Sequence, residues 1–243
     1  MPGAVAMAAD RQWERELAEL AEEQRRAKTR ADRVLAALFA VLILLIAVLL
    51  FGGHAHADAV IPRAALQYRS ELTRAAHAFW GLDAPVATFG AQIQTESWWK
   101  PGTVSSAGAQ GLAQFLPSTA KWLPSVIPAV GSAAPFDPRW SLRACVAYDK
   151  WLFDRVDGAT GCDRIAFALS AYNGGLGWVR RDMKKAAALG FDSRRWWGEV
   201  ENANAGRRAS AFRENRTYVR RILHDFELAY VRAGWGTGAC RAD

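Results

Sequence analysis

The chain has 243 residues, of which 51% are hydrophobic and 23% charged, with a formal net charge of +7. That excludes a disordered chain and allows one sizeable core with appendages. Residues 1–33 hold seven basic and seven acidic side chains, so the whole surplus falls on 34–243; it suits an anionic partner (nucleic acid, anionic lipid or an acidic wall polymer) or a plain soluble basic surface.

The first stretch, "DRQWERELAELAEEQRRAKTR", reads as a solvated helix over residues 1–33, capped by Asp10 and paired at helical spacing through Glu22 and Arg26. Val34 to Phe51, "VLAALFAVLILLIAVLLF", then runs 18 residues without a charged or polar side chain, close to the ~20 that span a bilayer as a helix. Arg25, Arg26, Lys28, Arg30 and Arg33 precede it closely, against only Arg63, Arg69 and Arg74 within a comparable distance beyond it. The expectation is a single transmembrane helix over 34–52, with a cytoplasmic N-terminus and everything after it outside. Ala55-His56-Ala57 resembles a signal-peptide cleavage site, so secretion after cleavage near Ala57 is the alternative. The long leading segment and long apolar run favour the uncleaved anchor.

Residues 58–243 read as helix after helix. "PRAALQYRSELTRAAHAFWG" ends at Gly81, "APVATFGAQIQTESWW" stops at Pro101-Gly102, and a looped region leads into "PSTAKWLPSVI". The segments "SLRACVAYDKWLFDRV", "CDRIAFALSAYNGG" and "RENRTYVRRILHDFELAYVRAG" follow, with no convincing strands and no repeat. The fold class is mainly α, in one domain. Cys145 shares a face with Leu142, Val146 and Leu152 and reads as a core thiol. Cys240, in a loose tail, can reach Cys162 at the next helix start; that pairing is expected, with three reduced thiols as the alternative. No spacing suggests a metal site, and no cofactor is expected.

Glu96 is the one carboxylate in "QIQTESWWKPGTVSSAGAQGLAQFLPST". Phe89, Ile93 and Glu96 fall on one side of a helix, placing the acid inward near the helix C-terminus. Desolvation and the negative end of the helix dipole both disfavour its charged form there. A carboxylic acid held protonated near neutral pH serves general-acid catalysis; an ordinary helix-end glutamate bonded to a neighbour is the plain alternative. There is no HExxH, GxSxG or phosphate loop. A paired-carboxylate glycosidase needs a second acid, and the next along the chain is Asp137.

Four strings in order, "ES" with "GAQGLAQFLPSTA", then "FDP", "ALSAYNGGLGWVRR" and "ENRTYV", resemble the lytic transglycosylase family from about Phe89 to Leu223. The resemblance implies a lysozyme-like helical catalytic domain, of the fold shared with goose-type lysozyme, with Glu96 as the sole acid/base. It implies cleavage of the bond between N-acetylmuramic acid and N-acetylglucosamine in peptidoglycan. The acetamido group of the substrate replaces a second carboxylate, and the sugar's 6-hydroxyl closes onto the anomeric carbon to leave a 1,6-anhydro sugar.

By the same resemblance, Ser97 stands beside the acid, helps orient it and counts among the substrate-binding residues, Gln114 meets the substrate, Tyr172 and Asn173 grip sugar or stem peptide, and Glu214 meets the stem. Tyr218 then brings its hydroxyl near Glu96. Gly108 and Gly111 shape the intervening turn. Two departures stand out: Ala113 replaces the usual methionine, implying a wider groove wall, and Asn215 stands where threonine usually follows the glutamate.

The partners implied are peptidoglycan glycan strands and the inner membrane through 34–52, with the domain in the periplasm. Nucleic acid is not among them, and protein partners are not legible. A hydrolysing muramidase on the same fold and a non-catalytic wall-binding anchor are the alternatives. The setting reads as phage lysis, secretion or conjugation, or wall turnover, with the single compact domain inclining towards the first two.

Overall fold

A computed structural model describes Glu22 and residues 60–240 of the chain. Glu22 is helical and exposed. The expected cytoplasmic helix is otherwise outside the described residues, as are the apolar run 34–51 and the cleavage-like Ala55–Ala57. No helix among the described residues is long and apolar enough to cross a membrane.

Asp58–Asp243 is one compact unit, and its described part is helical. In chain order come α1 (Arg63–Leu66), α2 (Arg69–Trp80), α3 (Val86–Ser97), α4 (Pro117–Val126), α5 (Pro138–Phe153), α6 (Gly161–Gly174), α7 (Leu176–Ala188), α8 (Ala209–Arg220) and α9 (Glu227–Arg232). A π-helical stretch, Arg221–Phe226, joins α8 to α9 without a break. Extended pairing among the described residues amounts to two isolated bridges, Val104 with Gln110 and Gln110 with Phe115.

The ends follow local chemistry. The Asp137 side chain accepts from the amides of Arg139 and Trp140 at the start of α5, where Pro138 needs no donor partner. Thr160 caps α6 and its hydroxyl donates to Asp163 three residues on. Gly81 at φ 80° closes α2, and Gly175 at φ 93° separates α6 from α7.

Helix α3 departs from the expected one-sided stripe. Every residue from Val86 to Gln94 is buried, because the helix is enclosed by α2, α9 and the π-helical stretch. Small residues permit the enclosure: a Cβ at Gly90 would lie 2.6 Å from the Tyr230 ring. Its polar side chains are therefore paired inside the core. Thr88 bonds Glu227, and Gln94 accepts from the Tyr230 hydroxyl at 2.7 Å.

The predicted Cys162–Cys240 disulfide is present, and Cys145 is free and fully buried. The bridge fastens the tail to the start of α6. Glu227 holds the same tail by accepting the backbone amides of Ala239 and Cys240 at 3.1 and 3.2 Å.

Candidate active site

Glu96 sits in the last turn of α3, where the helix ends through two consecutive left-handed residues, Trp98 (φ 54°) and Trp99 (φ 61°). Non-glycine residues reach that region only when the surroundings hold them there. Trp99 is buried, with its indole N–H donating to the Tyr230 hydroxyl at 2.7 Å. Trp98 stays exposed beside Phe226. One tryptophan anchors the helix end and the other faces solvent.

The Glu96 side chain opens onto a groove of about 550 Å³, lined also by Gln114, Tyr148, Tyr172, Asn173 and Glu214. The Tyr218 hydroxyl donates to Glu96 Oε1 at 2.6 Å. Although Glu96 is reached from the groove, packed protein surrounds most of its carboxyl. Desolvation pushes its pKa up to about 8; the Tyr218 hydrogen bond opposes this, and negative charge on Asp149 and Glu214 adds to it. The acid therefore carries its proton at neutral pH.

Both phenols nearby remain neutral donors. Burial raises Tyr218 and Tyr172 well above the ordinary tyrosine value, with Glu96 contributing to each. The Tyr172 hydroxyl is already committed to the Ala113 carbonyl at 2.8 Å. Its ring packs against Phe115 and Tyr148, so it builds the groove wall rather than offering a free hydroxyl.

The loop from 103 to 115 contributes Ser105, Ala107, Ala109, Gln114 and Phe115 to the groove lining. Gly111, at φ 76°, is irreplaceable by geometry: a Cβ there would lie 1.7 Å from the Pro135 carbonyl oxygen. Gly108, also at positive φ, has open space around it. Gln114 is held at φ 49°, and its Nε2 donates to the carbonyls of Gly111 (2.8 Å) and Thr103 (3.2 Å). Its amide donors brace the loop, leaving Oε1 as the atom for a ligand.

Two of the residues singled out lie off the groove lining. Ala113 is fully buried, with its amide on Ser141 Oγ and its carbonyl on Tyr172. It faces the core and is not part of the groove lining, so its small side chain does not widen the wall. Ser97 is also buried and does not line the groove; its hydroxyl donates back to the Ile93 carbonyl at 3.4 Å. Glu96, Gln114, Tyr172, Asn173 and Glu214 do converge on the groove, with Tyr218 just behind Glu96.

Sequence reasoning missed Asp149, an acid with no exposed surface on the core face of α5. Gln92 Nε2 donates to it at 3.4 Å and the Cys145 thiol at 3.7 Å. Burial raises its pKa to about 8 against those two hydrogen bonds. Gln92 lies one turn before Glu96 on α3, so it ties Asp149 to the helix that carries the acid. A signal existed in the spacing: Asp149 follows Cys145 by four residues and Leu142 by seven, on the stripe read as core.

A second cavity of about 520 Å³ lies between α9 and the tail, lined by Leu223, Leu228, Val231 and Gly236 among others. Its one acid, Glu227, is taken up by Thr88 and the tail amides. The arrangement able to do acid–base chemistry is the groove at Glu96.

A helical domain that holds a protonated glutamate over an open groove is suited to general-acid chemistry. Residues 76–194, just under half of the chain, match the transglycosylase SLT domain. The "Membrane-bound lytic murein transglycosylase F" of Maricaulis maris is 39% identical over 107 residues, 44% of this chain and 22% of that protein. The crystal structure of the 70 kDa soluble lytic transglycosylase from Escherichia coli superposes with a TM-score of 0.50 at 26% identity, covering 71% of this chain and 25% of that one. An inactive mutant of lytic transglycosylase Slt from Pseudomonas aeruginosa shares the fold, with a TM-score of 0.53, 22% identity and coverage of 74% and 26%. The chain spans about a fifth of the length of the curated relatives it matches.

Proposed function

We propose that this chain cleaves the glycosidic bond between N-acetylmuramic acid and N-acetylglucosamine in peptidoglycan and leaves a 1,6-anhydro end. The observation that carries the reading is Glu96, held protonated on the groove floor with Tyr218 at 2.6 Å. Protonated Glu96 donates to the leaving glycosidic oxygen as the bond to the anomeric carbon breaks. The substrate's acetamido oxygen stabilises the developing positive charge. Glu96, now ionised, removes the proton of the 6-hydroxyl, whose oxygen bonds to the anomeric carbon. The Tyr218 hydroxyl supports the carboxylate between the two transfers. Glu214, the other acid lining the groove, is exposed on α8. Gln114 Oε1 and Asn173 are the polar groups set to meet the sugar or stem peptide.

The apolar run Val34–Phe51 with its preceding basic cluster supports a single-pass inner-membrane anchor over 34–52, N-terminus in the cytoplasm and the 58–243 domain in the periplasm. The name of the Maricaulis maris relative agrees with membrane attachment. Such a tethered enzyme fits a phage endolysin that causes cytolysis, or a secretion-associated wall-cutting enzyme. Induced expression of the full chain in a bacterial host separates them: prompt lysis supports the first, continued growth with active membrane fractions the second.

The enzymatic reading is tested by product mass after incubating residues 58–243 with purified peptidoglycan. Muropeptides one water lighter than reducing products, absent with Glu96→Gln, are the expected result. Reducing-end products make the chain a muramidase, and cleavage at the wild-type rate by Glu96→Gln removes the acid from its role.

A further inference from the structure

Asn215 is fully buried beneath the groove with all its hydrogen-bonding capacity used. Its Oδ1 accepts from Arg216 Nη1 and Ser170 Oγ, both at 2.7 Å. Its Nδ2 donates to the Ser170 carbonyl and to Asn173 Oδ1, both at 2.9 Å. Arg216 is in turn immobilised: its guanidinium also donates to Asp182 at 3.0 Å and to the carbonyls of Glu201, Val200 and Ala203. Gly174 leaves the room required, since a Cβ there would come within 2.8 Å of Asn215 Nδ2.

These polarities leave no freedom. A guanidinium only donates and a backbone carbonyl only accepts, so the Asn215 oxygen must face Arg216 and its nitrogen must face Ser170. The atom of Asn173 that meets that nitrogen must then be its oxygen. Asn173 lines the groove and is exposed, and its Nδ2 has no hydrogen-bond partner among the described residues.

We propose that Asn215 is a positioning residue that fixes the Asn173 amide so that its N–H donors are offered to a carbonyl of the substrate. The chain of fixed polarity runs from Asp182 through Arg216 and Asn215 to the groove surface. The carbonyl belongs either to an acetamido group of the glycan or to the peptide stem. This inference rests on the groove being the glycan site, as proposed above.

The test compares KM and kcat of residues 58–243 on intact peptidoglycan and on glycan strands stripped of stem peptides. Asn173→Asp keeps the acceptor for Asn215 but cannot donate outward. It is expected to raise KM about tenfold, the size of one lost hydrogen bond to a neutral carbonyl, with kcat nearly unchanged. A rise on both substrates identifies the acetamido carbonyl, and a rise on intact peptidoglycan alone identifies the stem. Asn215→Asp keeps the acceptors for Arg216 and Ser170 Oγ but turns the Asn173 amide around. It is expected to give the same KM rise and to add nothing to Asn173→Asp. An unchanged KM for Asn173→Asp, or fully multiplicative effects in the pair, overturns the proposal. Because Asn215→Asp risks the fold, the side-chain amide resonances of Asn173 are followed as stripped and intact glycan are added to the Glu96→Gln protein; no shift with either overturns it independently. Failure of the wild type to cleave would instead sink the functional reading.

Discussion

Removing the Tyr218 hydroxyl tests the proton economy of the site most directly. Tyr218→Phe deletes the 2.6 Å hydrogen bond to Glu96 Oε1 and leaves the buried ring in place. That bond favours the ionised carboxyl and is the main influence opposing desolvation, so its loss raises the Glu96 pKa further above about 8. A hydrogen bond to a charged group contributes about 1.5–3 kcal/mol, which at about 1.4 kcal/mol per pH unit corresponds to about 1–2 units. Water entering from the groove replaces part of it, so the lower end, about one unit, is expected. The assay is the pH dependence of kcat/KM for residues 58–243 on peptidoglycan, whose alkaline limb reports the acid of the free enzyme. Asp149→Asn supplies the opposite sign: it removes the charge that Asp149 gains on ionising at about pH 8, which raises the Glu96 pKa, so the limb moves down. Below about pH 7, where both acids hold their protons, kcat/KM of Asp149→Asn stays close to wild type. A limb that stays fixed in Tyr218→Phe, or moves the same way in both variants, refutes Glu96 as the titrating acid.

Other consequences are separate from turnover. Glu96→Gln should stabilise the fold by about 1–3 kcal/mol near pH 7, because it replaces an acid whose folded pKa of about 8 lies above its unfolded value. Such an acid stabilises fully only below about pH 4.5, and the contribution fades as pH rises to about 8. The Tm advantage of the variant should therefore vanish at pH 4; an equal advantage at both pH values contradicts the shift. Replacing Cys162 and Cys240 by serine should lower Tm, since the bridge spans 78 residues and such a loop contributes about 2–4.5 kcal/mol; an unchanged melting curve would mean that Glu227 alone secures the tail. Gly111→Ala should cost about 2 kcal/mol or more from positive φ and the Pro135 clash. It should also lower activity through the displaced Gln114, checked by thermal melting and initial rates.

Much of the helical order was legible because apolar spacing and glycine or proline stops mark each segment. Helix α7 was not singled out: "LGWVRRDMKKAAA" is mostly polar and basic, and packs through Val179, Asp182 and Ala186. Its inward acid, Asp182, is intelligible only beside Arg207 and Arg216, which pair with it at 2.9 and 3.0 Å. The single α3 stripe was also too narrow a reading, since a helix enclosed on every side buries glutamines and threonine along with its apolar residues. Spacing placed Glu96 on an inward face near the end of its helix, where the structure has it, while its role as the acid came from the resemblance. Gln114 was found only as a residue type; which of its amide atoms faces the groove depends on carbonyls folded beneath it.

The Asn215 departure shows why a motif read residue by residue loses information. Threonine at that place carries one hydroxyl, whereas Asn215 makes four hydrogen bonds and joins Ser170, Arg216 and Asn173 into one network. Its consequence at the groove depends on Gly174 leaving space and on Arg216 presenting only donors. The substitution is thus coupled directly to neighbours in α6 and, through Arg216, to Asp182 of α7, and its effect is carried outward as amide polarity rather than as side-chain volume. A groove can in this way keep its lining residues while the buried layer below decides which hydrogen-bonding atom each one shows to the glycan.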